Sequence, residues 1–62
     1  MWIDVNKQKP DCDKLGNGWE CDVLVKYTSG EEGICLYVSR DAPGPLSGFF
    51  SGKKRVTHWK PR

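Results

Sequence analysis

Four side chains could act as soft-metal ligands or nucleophiles: Cys12, Cys21, Cys35 and His58. Together they form a nominal set of three cysteines and one histidine, which is enough donors for tetrahedral zinc. Their spacing points away from such a site. Eight, thirteen and twenty-two residues intervene between successive members, and no two cysteines stand close enough in sequence to grip a metal from one turn. Three reduced thiols, with Cys21 and Cys35 as small apolar residues on separate strands, is the simpler reading. Their odd number also suits a reducing compartment better than a secreted disulfide scaffold. No metal and no cofactor is expected. Histidine is a common general base, yet for His58 a nucleophile–base pair needs a Cys or Ser beside it and a carboxylate to orient it, which no spacing here supplies. In a β segment Thr57 and Trp59 share one face and His58 takes the other, so its expected role is structural, a hydrogen bond to backbone across strands, while Trp59 packs in the core with Trp2 and Val23 or Val25.

Phosphate chemistry fares no better. Gly44-Pro45-Leu46-Ser47-Gly48 lacks the Lys-Ser/Thr ending and the following helix of a phosphate cradle. The carboxylate pairs Glu31-Glu32 and Asp11/Asp13 read as solvated charge in turns. A chain of 62 residues is expected to leave too little room for a pocket of about 300 Å³. An enzyme is therefore not expected.

Binding is the remaining class. Residues 1–32 carry a net charge of −3 and residues 33–62 a net charge of +5, for a total of +2. Such polarity steers an encounter with a partner, or lets the two halves complement each other within the fold. The last ten residues hold Lys53, Lys54, Arg55, Lys60 and Arg62 with no acid among them, and Phe49-Phe50 stand just upstream. Cations beside aromatics bind phosphate and stack bases. Against nucleic acid stands a sequence pI near 8.5, below the value of about 9 usual for such domains. Protein recognition is the stronger reading, because interfaces favour aromatic and Arg anchors. The expected partner-binding residues are Phe49, Phe50, Lys53, Lys54 and Arg55. The competing reading places the contact on Asp11, Asp13, Glu20, Glu31 and Glu32, as a mimic of phosphate.

The elements that must position these groups are strands. Cys21, Val23, Val25 and Tyr27 alternate with Glu20, Asp22, Leu24 and Lys26, the period of a half-buried strand. Leu24 departs from the pattern and implies some cover on the second face. Thr28 to Gly33 is a turn with two glycines, and Ile34 to Val38 alternates again, so residues 20–38 form a β-hairpin. Trp2 to Val5 and Arg55 to Trp59 are terminal strands, the second halted by Pro61. Phe49-Phe50 begins a further central piece. Lys9 to Gly18 permits one short helical turn between Pro10 and Gly16, and Arg40 to Gly48 is a surface loop. Three Trp, two Tyr and two Phe supply large buried areas of about 150–250 Å² each. The expected architecture is a single mainly β domain over residues 1–62: a small antiparallel sheet or open barrel built on a central hairpin, with at most one short helical turn. No apolar run approaches the ~18 residues of a membrane span, and Met1-Trp2-Ile3-Asp4 lacks the basic head and apolar run of a leader. A soluble protein that stays where it is made is expected.

Trp2-Ile3 with Val5, then Pro10, then Val23-Leu24-Val25, a central aromatic, and a closing Val56-Thr57-His58-Trp59 with Pro61 occur in that order. This pattern resembles the small phage and prophage proteins grouped as domain of unknown function 551. The resemblance spans nearly the whole chain, and its closing motif is the most specific part. Lys60 stands where the family commonly has an apolar residue, and no Pro-rich tail follows Pro61. The resemblance implies an accessory protein of a bacterial virus, working in the host bacterial cytoplasm, and implies no enzymatic activity. On that footing the expectation is a non-enzymatic protein that binds and inhibits a host bacterial protein, such as an anti-phage immune effector. The alternative is a small nucleic-acid-binding protein using the basic C-terminal segment. Exposed edges of a short sheet also favour a homodimer.

Overall fold

The computed structural model describes all 62 residues. Five strands, β1 (Ile3–Asp4), β2 (Glu20–Tyr27), β3 (Glu32–Val38), β4 (Gly48–Phe49) and β5 (Val56–Pro61), form one antiparallel sheet in the order β1-β5-β2-β3-β4. The sheet curves into an open half-barrel. The only helix is the four-residue turn α1 (Cys12–Leu15). A mainly β fold on a central hairpin, with one short helical turn, is thus what the alternation and the glycine punctuation specify.

The hairpin is the spine. β2 and β3 pair over seven positions, from Glu20 opposite Val38 to Lys26 opposite Glu32. Its turn closes with Tyr27 N–H on the Glu31 carbonyl at 2.9 Å and Gly30 at φ +90°, a backbone conformation that costs glycine nothing. β3 therefore begins at Glu32, two residues before the expected start. β5 lies along the other side of β2, and β1 caps the outside of β5.

Strict alternation along β2 sends Cys21, Val23 and Val25 to one face. There they meet Cys35, Tyr37, Val56, Trp59 and Cys12, all buried. Ile3, Val5, Leu15, Tyr27 and Phe49 pack around this cluster. The Trp59 Nε1–H donates to the Gln8 carbonyl at 2.9 Å, so the indole is buried with its polar atom satisfied. α1 closes the open end of the half-barrel. Asp11 caps it by accepting the Asp13 N–H at 3.0 Å, and the N–H groups of Gly16 and Gly18 both reach the Cys12 carbonyl. Gly16 is required by close approach: a Cβ there would sit 2.0 Å from the Glu20 carbonyl oxygen and 2.8 Å from Cys21 Cβ.

Three local expectations change at β5. The register with β2 steps from Lys26 opposite His58 to Tyr27 opposite Val56, which leaves Thr57 as the extra residue of a bulge. Val56 rather than Thr57 consequently shares the core side with Trp59. Thr57 instead donates its hydroxyl to the Lys26 carbonyl at 3.2 Å, and His58 Nδ1 bonds the Thr57 Oγ1 at 2.9 Å rather than backbone across the strand. The strand also runs through Pro61 instead of halting before it. Thr57 turns its carbonyl toward β1, accepting Val5 N–H at 3.1 Å, and Pro61, four residues on, turns its nitrogen the same way. Pairing with β1 ends at Trp59, so the missing N–H of Pro61 breaks no ladder bond.

Candidate functional site

One face of the sheet holds the core; nothing in the chain covers the other. Side chains on that open face follow from the register. Lys60, Leu24 and Ile34 stand side by side across β5, β2 and β3, and Asp22 stands beside Leu36 in the next row. Phe50 N–H donates to the Leu36 carbonyl at 2.9 Å, which extends that row to the end of β4. Leu24 and Leu36 are half-buried, Ile34 is 55% exposed and Phe50 47% exposed. These four make a continuous apolar band across three strands. Exposed apolar patches rimmed by polar and charged residues are the kind of surface that binding partners cover.

Trp2 belongs to this face and not to the core, a correction to its expected packing against Trp59. β1 pairs Ile3 with Trp59, so alternation puts Ile3 inside and Trp2 outside. Its ring carries Lys60 Nζ 4.6 Å and Lys26 Nζ 5.1 Å from the centroid. Of the two ion pairs, Lys54 with Glu31 at 3.3 Å lies at the hairpin turn and Arg62 with Asp22 at 3.9 Å lies on this face; neither includes Lys26 or Lys60, although Glu32 stands opposite Lys26 in the register. Lys26 and Lys60 thus have an indole as partner and no carboxylate within ion-pair distance. Cation–π contacts at such exposed sites are worth about 0.5–1 kcal/mol each, and they leave the charge of both ammoniums unneutralised.

The expected binding residues are dispersed. Phe49 faces the core and packs on Tyr37, ring centroids 4.8 Å apart, whereas Phe50 joins the open face. Lys53, Lys54 and Arg55 lie in the exposed turn between β4 and β5. Lys54 bridges Glu31 and sits 5.1 Å over the Tyr27 ring, and Arg55 gives its carbonyl to Thr28 N–H. The fold therefore groups Phe50 with Leu24, Ile34 and Leu36, while Lys54 is engaged with Glu31 and Tyr27. The sequence signal for the band was the apolar misfit of Leu24 together with the alternation of Ile34 and Leu36.

Among the titratable groups, Cys12 and Cys21 are in direct contact, Sγ to Sγ 3.5 Å, and each is 4% exposed. Burial, then the bond to Cys12, push the Cys21 thiol up to about 12. Burial also raises Cys35 and Tyr37. Cys35 is separate from the pair and donates to its neighbour's carbonyl, that of Leu36, at 3.4 Å. No three His, Cys, Asp or Glu side chains converge to hold a metal ion. Room for a small molecule is larger than the length suggests: two clefts of about 420 Å³ flank α1. The first is walled by Asp11, Asp13, Asp41 and Trp19, the second by Leu15, Asp22 and Arg62, and both are open to solvent. Compared with family models, with curated proteins and with solved structures, the chain has no match.

Proposed function

We propose that this chain is a non-enzymatic binding protein of the small phage and prophage kind that its sequence resembles, and that it inhibits a host bacterial protein by seating its open sheet face on it. The observation that carries the reading is the band of Leu24, Ile34, Leu36 and Phe50, exposed on the face opposite the core. Its occupant is a protein segment that sets apolar side chains on the band and carboxylates against Lys26 and Lys60, because those two ammoniums converge on the Trp2 ring and neither is in an ion pair, while the unpaired carboxylates of the face, Glu20 and Glu32, stand opposite Val38 and Lys26. Desolvated apolar anchors supply the affinity, and the two cations supply register and encounter rate. An anti-phage immune effector is the partner class we assign on analogy with other small viral proteins.

The experiment is a retention assay from bacterial lysate with three proteins: the native chain, the Ile34→Glu/Phe50→Glu variant and the Lys53→Glu/Lys54→Glu variant, each shown folded by circular dichroism. A species held by the native chain and by the turn variant, but released by the face variant, supports the proposal. The same species held by the face variant and released by the turn variant overturns the site in favour of the β4–β5 turn. Steeply salt-dependent affinity for mixed DNA and RNA, lost with Lys26→Glu/Lys60→Glu, would overturn the protein-partner reading itself. Sedimentation at twice 7.0 kDa, abolished by Ile34→Glu/Phe50→Glu, would show that a second copy occupies the face.

A further inference from the structure

We infer that Cys12 and Cys21 are an oxidation site, a buried thiol pair that closes to an intramolecular disulfide while Cys35 stays a free thiol. Nine positions separate the two in sequence, one on the single turn α1 and one at the start of β2. The fold brings their sulfurs to 3.5 Å with no atom between them. Both side chains are 4% exposed, so neither is held in place by solvent or by an ionic partner. The close seat of Gly16 against Glu20 and Cys21 presses this segment onto β2 and maintains the contact. Cys35 lies on β3 opposite Val23, with its sulfur on the Leu36 carbonyl.

Closure removes one proton and one electron from each thiol and forms one S–S bond. A two-electron oxidant takes them up: a peroxide, which leaves as water, or an azo compound, whose N=N bond becomes a hydrazine. Thiolate is the reacting species, and the high pKa of Cys21 keeps the closed form slow to react. The reaction therefore runs through opening of the 13–18 segment, of which only Leu15 and Gly18 are half-buried, after which the pair recloses as a disulfide. The bond then ties the linker to the sheet and removes freedom from the unfolded chain.

The test treats the folded native chain with the azo oxidant diamide, blocks remaining thiols with N-ethylmaleimide and digests with trypsin. Cleavage after Lys7, Lys14, Lys26 and Arg40, but not between Lys9 and Pro10, puts each cysteine on its own peptide: 8–14, 15–26 and 27–40. The expected result is loss of two of the three free thiols, with 8–14 bridged to 15–26 and 27–40 carrying the block. The same treatment in denaturant should scatter bridges over all three pairs, because loop length alone discriminates weakly among them. Cys35→Ser should leave the bridge intact and Cys12→Ser should abolish it. The oxidised chain should also melt above the reduced one. Equal blocking of all three cysteines, a bridge that includes Cys35, or an oxidised form that melts below the reduced form overturns the assignment.

Discussion

Cys21 sets a pH limit on the fold. Its thiol is pushed from an ordinary 9.0 to about 12 because ionising it would bury a charge beside another sulfur with no cation nearby. A raised folded pKa means that the unfolded state releases the proton first. The associated stability is complete below pH 9 and drains away as pH climbs toward 12. Cys35 and Tyr37 are raised by the same burial and act in the same direction. Thermal midpoints measured from neutral pH upward should be level to about pH 9 and then fall steadily, with ionisation of the unfolded thiols as the driving step. A level profile through the alkaline range would show that these groups are solvated in the native state.

At the scale of elements, the seam between α1 and β2 carries more constraint than the helix itself. A four-residue helix has no stability of its own; it persists because Gly16 lets the backbone lie against Glu20 and Cys21. Gly16 has φ −158° and ψ −140°, outside the left-handed region, and the requirement the structure shows is space. Gly16→Ala drives a methyl group into the Glu20 carbonyl and should cost about 1–3 kcal/mol, the usual penalty of overpacking. Urea denaturation checks this, with Gly44→Ala as the comparison, since no atom lies within 4 Å of a Cβ built at Gly44. Gly44 bears a positive φ of +109°, so its variant reads a backbone-conformation penalty without contact, against which the contact penalty at Gly16 is set.

At the scale of the whole molecule, the two faces of one sheet divide stability from recognition. A small domain buries little surface and has little stability to spare, so each core contact weighs heavily. Val25 is fully buried, and Val25→Ala should cost about 2 kcal/mol in lost burial and residual cavity. Ile34 is the larger side chain and lies in the adjoining strand. It is 55% exposed, and Ile34→Ala should change stability by no more than about 0.5 kcal/mol. Urea midpoints for the two variants read the division directly. A large loss at Ile34 would mean that the open face is covered in solution, for instance by a second copy.

The hairpin, the helical turn and the single-sheet class were legible in the sequence because each rests on local chemistry: period-two alternation, a glycine-bearing turn, an aspartate cap. Which face of β3 is the inside was legible only through Cys35, read as a buried thiol, and was opposed by its aliphatic residues. Ile34, Leu36 and Val38 look more core-like than Cys35 and Tyr37, and composition alone would bury them. The decision belongs to pairing with β2. Once Val23 stands opposite Cys35 and Cys21 opposite Tyr37, the smaller thiol and the tyrosine must go inward and the aliphatics outward, because a pleat allows no mixed choice. The same non-local rule decided that Phe49 and not Phe50 turns inward, through its pairing with Tyr37, and moved Trp2 away from Trp59. It also placed two cysteines nine residues apart in contact. Alternation is written in neighbouring residues, whereas the sign of each face is set by a partner strand far along the chain, and the open face exists only once all five strands are paired.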